Sequence, residues 1–108
     1  MGDAFDVDDI DVLEARWITL VLAELGPAGR SIGEYAERVD REFRAVGLGR
    51  VFSYGTYKNR MLWSIEVEVR ECDVDRGIEA ARRILRSLDV PESTLIRYED
   101  RDHLVNGD

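Results

Sequence analysis

The stretch Arg50-Val51-Phe52-Ser53-Tyr54-Gly55-Thr56-Tyr57-Lys58-Asn59-Arg60-Met61-Leu62-Trp63-Ser64-Ile65-Glu66-Val67-Glu68-Val69-Arg70 decides the fold. Its first part is rich in aromatic and β-branched residues, its second part alternates, and the polar Lys58-Asn59-Arg60 separates them. That pattern reads as a β-hairpin, although its turn is not of the Asn-Gly kind. In the second strand of the hairpin Trp63, Ile65, Val67 and Val69 share one face, while Leu62, Ser64, Glu66, Glu68 and Arg70 share the other. The apolar set is expected to face a core.

A helix is expected on either side of this hairpin. Upstream, Ser31 and Glu34 have the spacing of a capping box, and Ile32, Tyr35, Ala36, Val39, Phe43 and Val46 continue at helical spacing to Gly47 and Gly49. Downstream, Asp73 is placed to cap a helix in which Val74, Ile78, Ala81, Leu85 and Leu88 repeat, with Arg82, Arg83 and Arg86 on its flanks. A strand precedes the first helix: residues 15–25 contain Trp17-Ile18-Thr19-Leu20-Val21-Leu22-Ala23, apolar on both parities, and Gly26-Pro27-Ala28-Gly29 ends it. Val90-Pro91-Glu92 ends the second helix and Thr94 to Glu99 reads as a last strand. The polar segment from Asp100 to Asp108 could add a short edge strand through Leu104 and Val105.

Two strand-helix-strand units with right-handed crossovers, joined by a hairpin, close into an α+β sandwich. The expectation is a four-stranded antiparallel sheet, first and third strands central, with two helices on one face. This order of elements resembles the ferredoxin-like βαββαβ domains over roughly residues 15–99, at the level of topology. The chain then divides into an acidic arm (1–14), the α+β domain (15–99) and a polar tail (100–108). Such a fold hosts many unrelated functions, so function has to come from sites.

A chain of 108 residues with 44% apolar content suits one domain with one core. Its net charge of -8 is unevenly spread: residues 1–14 hold six acids and no base, whereas 17 acids face 15 bases thereafter. An acidic arm repels phosphate backbones, which disfavours nucleic-acid binding. A single cysteine, Cys72, cannot form an intramolecular disulfide, and no leader-like or long apolar run is present, so a cytoplasmic protein with no membrane contact is the expectation. The arm alternates acidic and apolar residues from Phe5 to Leu13, a composition suited to folding against a partner or to a solubilising terminus. Ile10 and the lack of a turn glycine argue against a calcium loop.

If Ile18, Leu20 and Leu22 face the helices, Trp17, Thr19, Val21 and Ala23 face away, beside Leu62, Ser64, Glu66 and Glu68. A partly apolar, partly acidic face packs against a second subunit, a partner protein or a terminus of the same chain. Trp17, Val21, Glu66 and Glu68, with Asp6, Asp8 and Asp9 of the arm, are therefore the candidate partner-binding residues. RNA-recognition motifs are similar in fold but stack bases on aromatic residues where this chain has Glu66 and Glu68. Copper-chaperone-like domains need a Cys-x-x-Cys where it has Gly26-Pro27-Ala28-Gly29, and the acylphosphatase-like motif is not reproduced around Arg30 and Asn59.

ACT-like regulatory domains also carry a Pro/Gly loop between first strand and first helix. That resemblance implies an amino acid or small carboxylate bound at a subunit interface, here near Gly29, Arg30 and Ser31, although the usual Asp-x-Pro-Gly is absent. Catalytic constellations are thin. Cys72 is flanked by Glu71, Asp73 and Asp75, and the single histidine, His103, lies in the tail. The expectation is a small acidic, non-catalytic protein-interaction domain without cofactor or metal, similar in size and charge to bacterial immunity or inhibitor proteins. The alternative is a homodimeric ACT-like ligand-binding domain.

Overall fold

The structure, a computed structural model, describes residues 7–23, 31–57, 62–88, 90 and 93–105. After a 3-10 turn at Val7–Asp9 come β1 (Ala15–Leu22), α1 (Ile32–Ala45), β2 (Gly49–Tyr57), β3 (Leu62–Arg70), a second 3-10 turn at Glu71–Asp73, α2 (Val74–Ser87), β4 (Leu95–Tyr98) and β5 (Arg101–Leu104). All strand pairings are antiparallel, and the order across the sheet is β2-β3-β1-β4-β5. The first and third strands are central, as the apolar runs imply.

The sheet has five strands, not four. The polar tail does supply the short edge strand that Leu104 suggested: the chain turns back at Glu99-Asp100 and pairs with β4 from Tyr98↔Arg101 to Leu95↔Leu104. Beyond them Val105 is fully buried in the core, and α2 reaches across through Arg82 Nε to the Leu104 carbonyl (3.3 Å) and Arg86 Nε to the Val105 carbonyl (2.8 Å). The turn was hard to foresee because Glu99 takes a φ of 56°, a conformation usually left to Gly or Asn.

Both helices lie on one face. Gly77 of α2 sits so close to the sheet that an added Cβ would fall 3.0 Å from Ile18 Cδ1 and 3.7 Å from Phe43 of α1. Ile18, Leu20, Leu22, Ile65, Val67 and Val69 are fully buried beneath the helices with Tyr35, Val39, Phe43, Ala81 and Leu85. Hydrophobic burial on this scale is the main favourable term in folding.

The capping box of α1 is formed: Glu34 N–H donates to Ser31 Oγ (3.2 Å), and Ser31 N–H donates to Glu34 Oε1 (3.3 Å). At its other end Gly47, with φ 68°, donates to the Arg44 carbonyl and Leu48 N–H reaches the Phe43 carbonyl. Val46 therefore falls outside the helix, 60% exposed instead of buried. Asp73 does not act as the expected side-chain cap of α2; its buried carboxylate is held by Arg70 (2.7 Å) and by Arg76. Among the described residues no helix is long and apolar enough to cross a membrane.

Because Val105 is buried and Leu104 is half exposed, Val105→Ala should lower unfolding free energy by about 2 kcal/mol and Leu104→Ala by less than about 1. Glu99→Gly should instead raise it by about 0.5–1 kcal/mol, as glycine adopts positive φ without strain. Chemical denaturation of the three variants checks both expectations.

Candidate functional site

The strand registers lay out the sheet face opposite the helices as three cross-strand rows. The first is Arg50, Glu68 and Trp17; the second is Ser53, Glu66, Thr19, Arg97 and Asp102; the third is Gly55, Ser64, Val21, Leu95 and Leu104. The inference that Trp17, Thr19 and Val21 share this face with Ser64, Glu66 and Glu68 holds, because Leu20↔Ile65 and Ile18↔Val67 lie in the buried rows between them.

Two contributors were not legible from strand parity. Phe52 occupies the extra position of a β-bulge between Val51 and Ser53, which turns it onto the open face while Tyr54, of the same parity, pairs with Ile65 on the helix side. The Phe52 ring meets Trp17 edge to face at 6.2 Å between centroids, and the Arg50 guanidinium lies 5.6 Å from the Phe52 centroid. Arg50 Nε also donates to Glu68 Oε1 (3.0 Å), so one cation joins an aromatic ring to a carboxylate that is otherwise buried.

Two further polar contacts join neighbours on the face. Glu66 accepts from Ser53 Oγ (3.1 Å), and Arg97 Nε donates to Asp102 Oδ1 (2.6 Å). Apolar exposure is marked on the face: Trp17 is 41%, Phe52 53% and Leu104 49% exposed. Val21, by contrast, is 6% exposed and lies beneath its neighbours, so it supports the face more than it presents a contact. The described residues of the termini extend or flank the sheet and do not cover this face: β5 adds a strand at one edge, and the Val7–Asp9 turn packs against β2 at the other.

The acidic arm is tied down in part. Asp8 pairs with Arg44 (3.0 Å), Leu13 N–H donates to Asp11 Oδ1 (2.9 Å), and Glu71 N–H donates to the Glu14 carbonyl (2.7 Å). Asp9 is exposed, and Asp6 lies outside the described residues. Of the alternative ligand site, Gly29 and Arg30 also lie outside the described residues, while the Ser31 hydroxyl is engaged in the capping box of α1. The Glu34 carboxylate thereby already stands at that helix N-terminus.

Cys72 is exposed on the second 3-10 turn and His103 lies on β5; among the described residues neither side chain hydrogen-bonds to a potential catalytic partner. No group of three His, Cys, Asp or Glu among the described residues could hold a metal ion. A groove of about 500 Å³ opens on the helix side, between Val46 and Leu48 and the Asp75, Arg76, Ala80 and Arg83 surface of α2, remote from the rows above. No family model matches the chain, and no curated protein or solved structure matches it.

The hydrogen bonds from Arg44 hold the Asp8 carboxyl below its ordinary pKa of 3.8. A depressed carboxylate stabilises the docked arm above the ordinary value and loses that contribution as pH falls through the folded one. A carboxyl-carbon NMR titration should therefore find Asp8 titrating below 3.8, returning to its ordinary value in Arg44→Gln. Separately, Arg50→Ala leaves Glu68 buried without its cation and should cost about 1–3 kcal/mol in denaturation, most of it regained in Arg50→Ala/Glu68→Leu.

Proposed function

We propose that this protein is a small non-catalytic interaction domain that docks another protein on the open face of its sheet, as an inhibitor or immunity-type protein masks a functional surface. One observation carries the reading. Trp17 and Phe52 stand edge to face, each about half exposed, toward the β2 edge of the open face and beside the paired Arg50 and Glu68. Aromatic anchors beside satisfied polar groups are the usual make-up of an energetic hot spot, because the rings supply most of the burial.

The expected partner carries a basic contact surface. A net charge of -8, with Asp9, Asp11 and Glu14 exposed beside the domain, attracts such a surface and repels a second copy of the chain. The order of elements and the central β1 and β3 support a ferredoxin-like reading of the fold, with β5 as an added edge strand. The homodimeric ligand-binding alternative has less behind it, since a carboxylate ligand at the α1 N-terminus would compete with Glu34 for the same amides.

The test is a photo-crosslinking residue at Phe52, with Arg41 on the exposed side of α1 as control position, in extract of the source cells. The reading expects one discrete protein adduct from position 52, reduced at least about tenfold by Trp17→Ser and weakened by salt, and none from position 41. The same adduct from both positions, or an adduct indifferent to Trp17→Ser, would contradict it.

A further inference from the structure

Arg50 shows what this face does with a guanidinium. Its central carbon lies 5.6 Å from the centroid of the Phe52 ring while Nε donates to Glu68 Oε1 at 3.0 Å, so one cation is shared between an aromatic ring and a carboxylate. The next carboxylate along the same face of β3 has similar surroundings but no cation of its own. Glu66 is half-buried and pairs across the sheet with Thr19 of β1 and Ser53 of β2. Trp17 is opposite Glu68 and therefore diagonal to Glu66, a separation of about 7–8 Å that long side chains span. Among the described residues Glu66 accepts only from the neutral Ser53 hydroxyl, at Oε1 (3.1 Å), and no arginine or lysine pairs with it. Nor does a described cation lie over the ring of Trp17, which is 41% exposed.

Charge and shape select the occupant. A net charge of -8 draws in cations, and a carboxylate desolvated in a contact surface costs affinity unless the partner neutralises it. Of the two cationic side chains, arginine has the planar, weakly hydrated group that stacks on a ring and pairs with a carboxylate at once, as Arg50 does. We infer that Glu66 and Trp17 form the receiving site for an arginine of the partner protein, its guanidinium paired to Glu66 Oε2 and laid against the indole. Ser53 sets the direction of the Glu66 carboxylate, engaging Oε1 and leaving Oε2 for the incoming donor. This inference rests on the reading of the face as a docking surface and adds which partner side chain it selects.

The probes are Nα-acetyl-arginine amide, its lysine counterpart and the neutral isostere Nα-acetyl-citrulline amide, titrated into the full chain and followed by NMR at the Trp17 indole and the Glu66 carboxyl carbon. The arginine probe should shift both signals and bind at least about fivefold more tightly than citrulline, and more tightly than lysine. Glu66→Gln keeps the oxygen that Ser53 contacts, so the sheet is unperturbed, and should abolish the preference for arginine. Trp17→Leu should weaken it, whereas Glu37→Gln, which removes an equal charge from the exposed side of α1, should leave it unchanged. In extract, Glu66→Gln should lower the yield of the position-52 adduct at least about fivefold. Equal affinity for the arginine and citrulline probes, lysine bound as tightly as arginine, a preference that survives Glu66→Gln, or an adduct at full yield in Glu66→Gln would each overturn the arginine site. The docking face itself fails on a different result, the absence of a Trp17-dependent adduct from position 52 in the parent protein.

Discussion

Two amphipathic helices of 14 residues each cover one face of a five-stranded sheet, and the rest of the structure follows from that constraint. The seal is tight where it exists. Gly77 brings α2 against Ile18 and Val69, Phe43 brings α1 to the same point, and the alternate residues of β1 and β3 vanish from solvent beneath them. Strand geometry sends every intervening side chain to the other side, where no third layer is present among the described residues.

That side is built to tolerate exposure without becoming inert. Arg50 with Glu68, Ser53 with Glu66 and Arg97 with Asp102 pair polar groups in place, which keeps Glu68 buried at little cost. Apolar exposure is concentrated at Trp17, Phe52 and Leu104. The arm, which holds six of the chain's acids, is fastened by Asp8 to Arg44 of α1, and its Val7–Asp9 turn packs against β2. Its negative charge bears on encounter rates and on self-repulsion; the aromatic pair bears on what stays bound.

Periodicity made most of this legible. The capping box at Ser31, the glycine stop at Gly47 and the alternation from Trp63 to Val69 each appear where the residues place them, because each is a local rule obeyed locally. What escaped was set by irregular backbone. Phe52 changes face through a bulge that parity counting cannot register; the edge strand suggested by Leu104 and Val105 is present as β5, but the turn that starts it, with a positive φ on a glutamate, carries no sequence signal. Asp73 has the residue type of a cap but satisfies two arginines instead, and Asp8 finds its partner 36 residues away, a distance at which sequence spacing carries no signal. Of the candidate site, Trp17, Glu66 and Glu68 were readable from alternation; Arg50 and Phe52, which complete it, were not.

The central claim is that the face around Trp17 and Phe52 is open in the isolated protein. Relaxation of side-chain NMR signals by a soluble, uncharged paramagnetic chelate measures this directly. The account predicts strong relaxation at Trp17, Phe52 and Leu104, and little at Ile18, Leu20 and Leu22. Protection of Trp17 and Phe52 equal to that of the buried rows would mean that a terminus or a second copy already covers the face, and would contradict it.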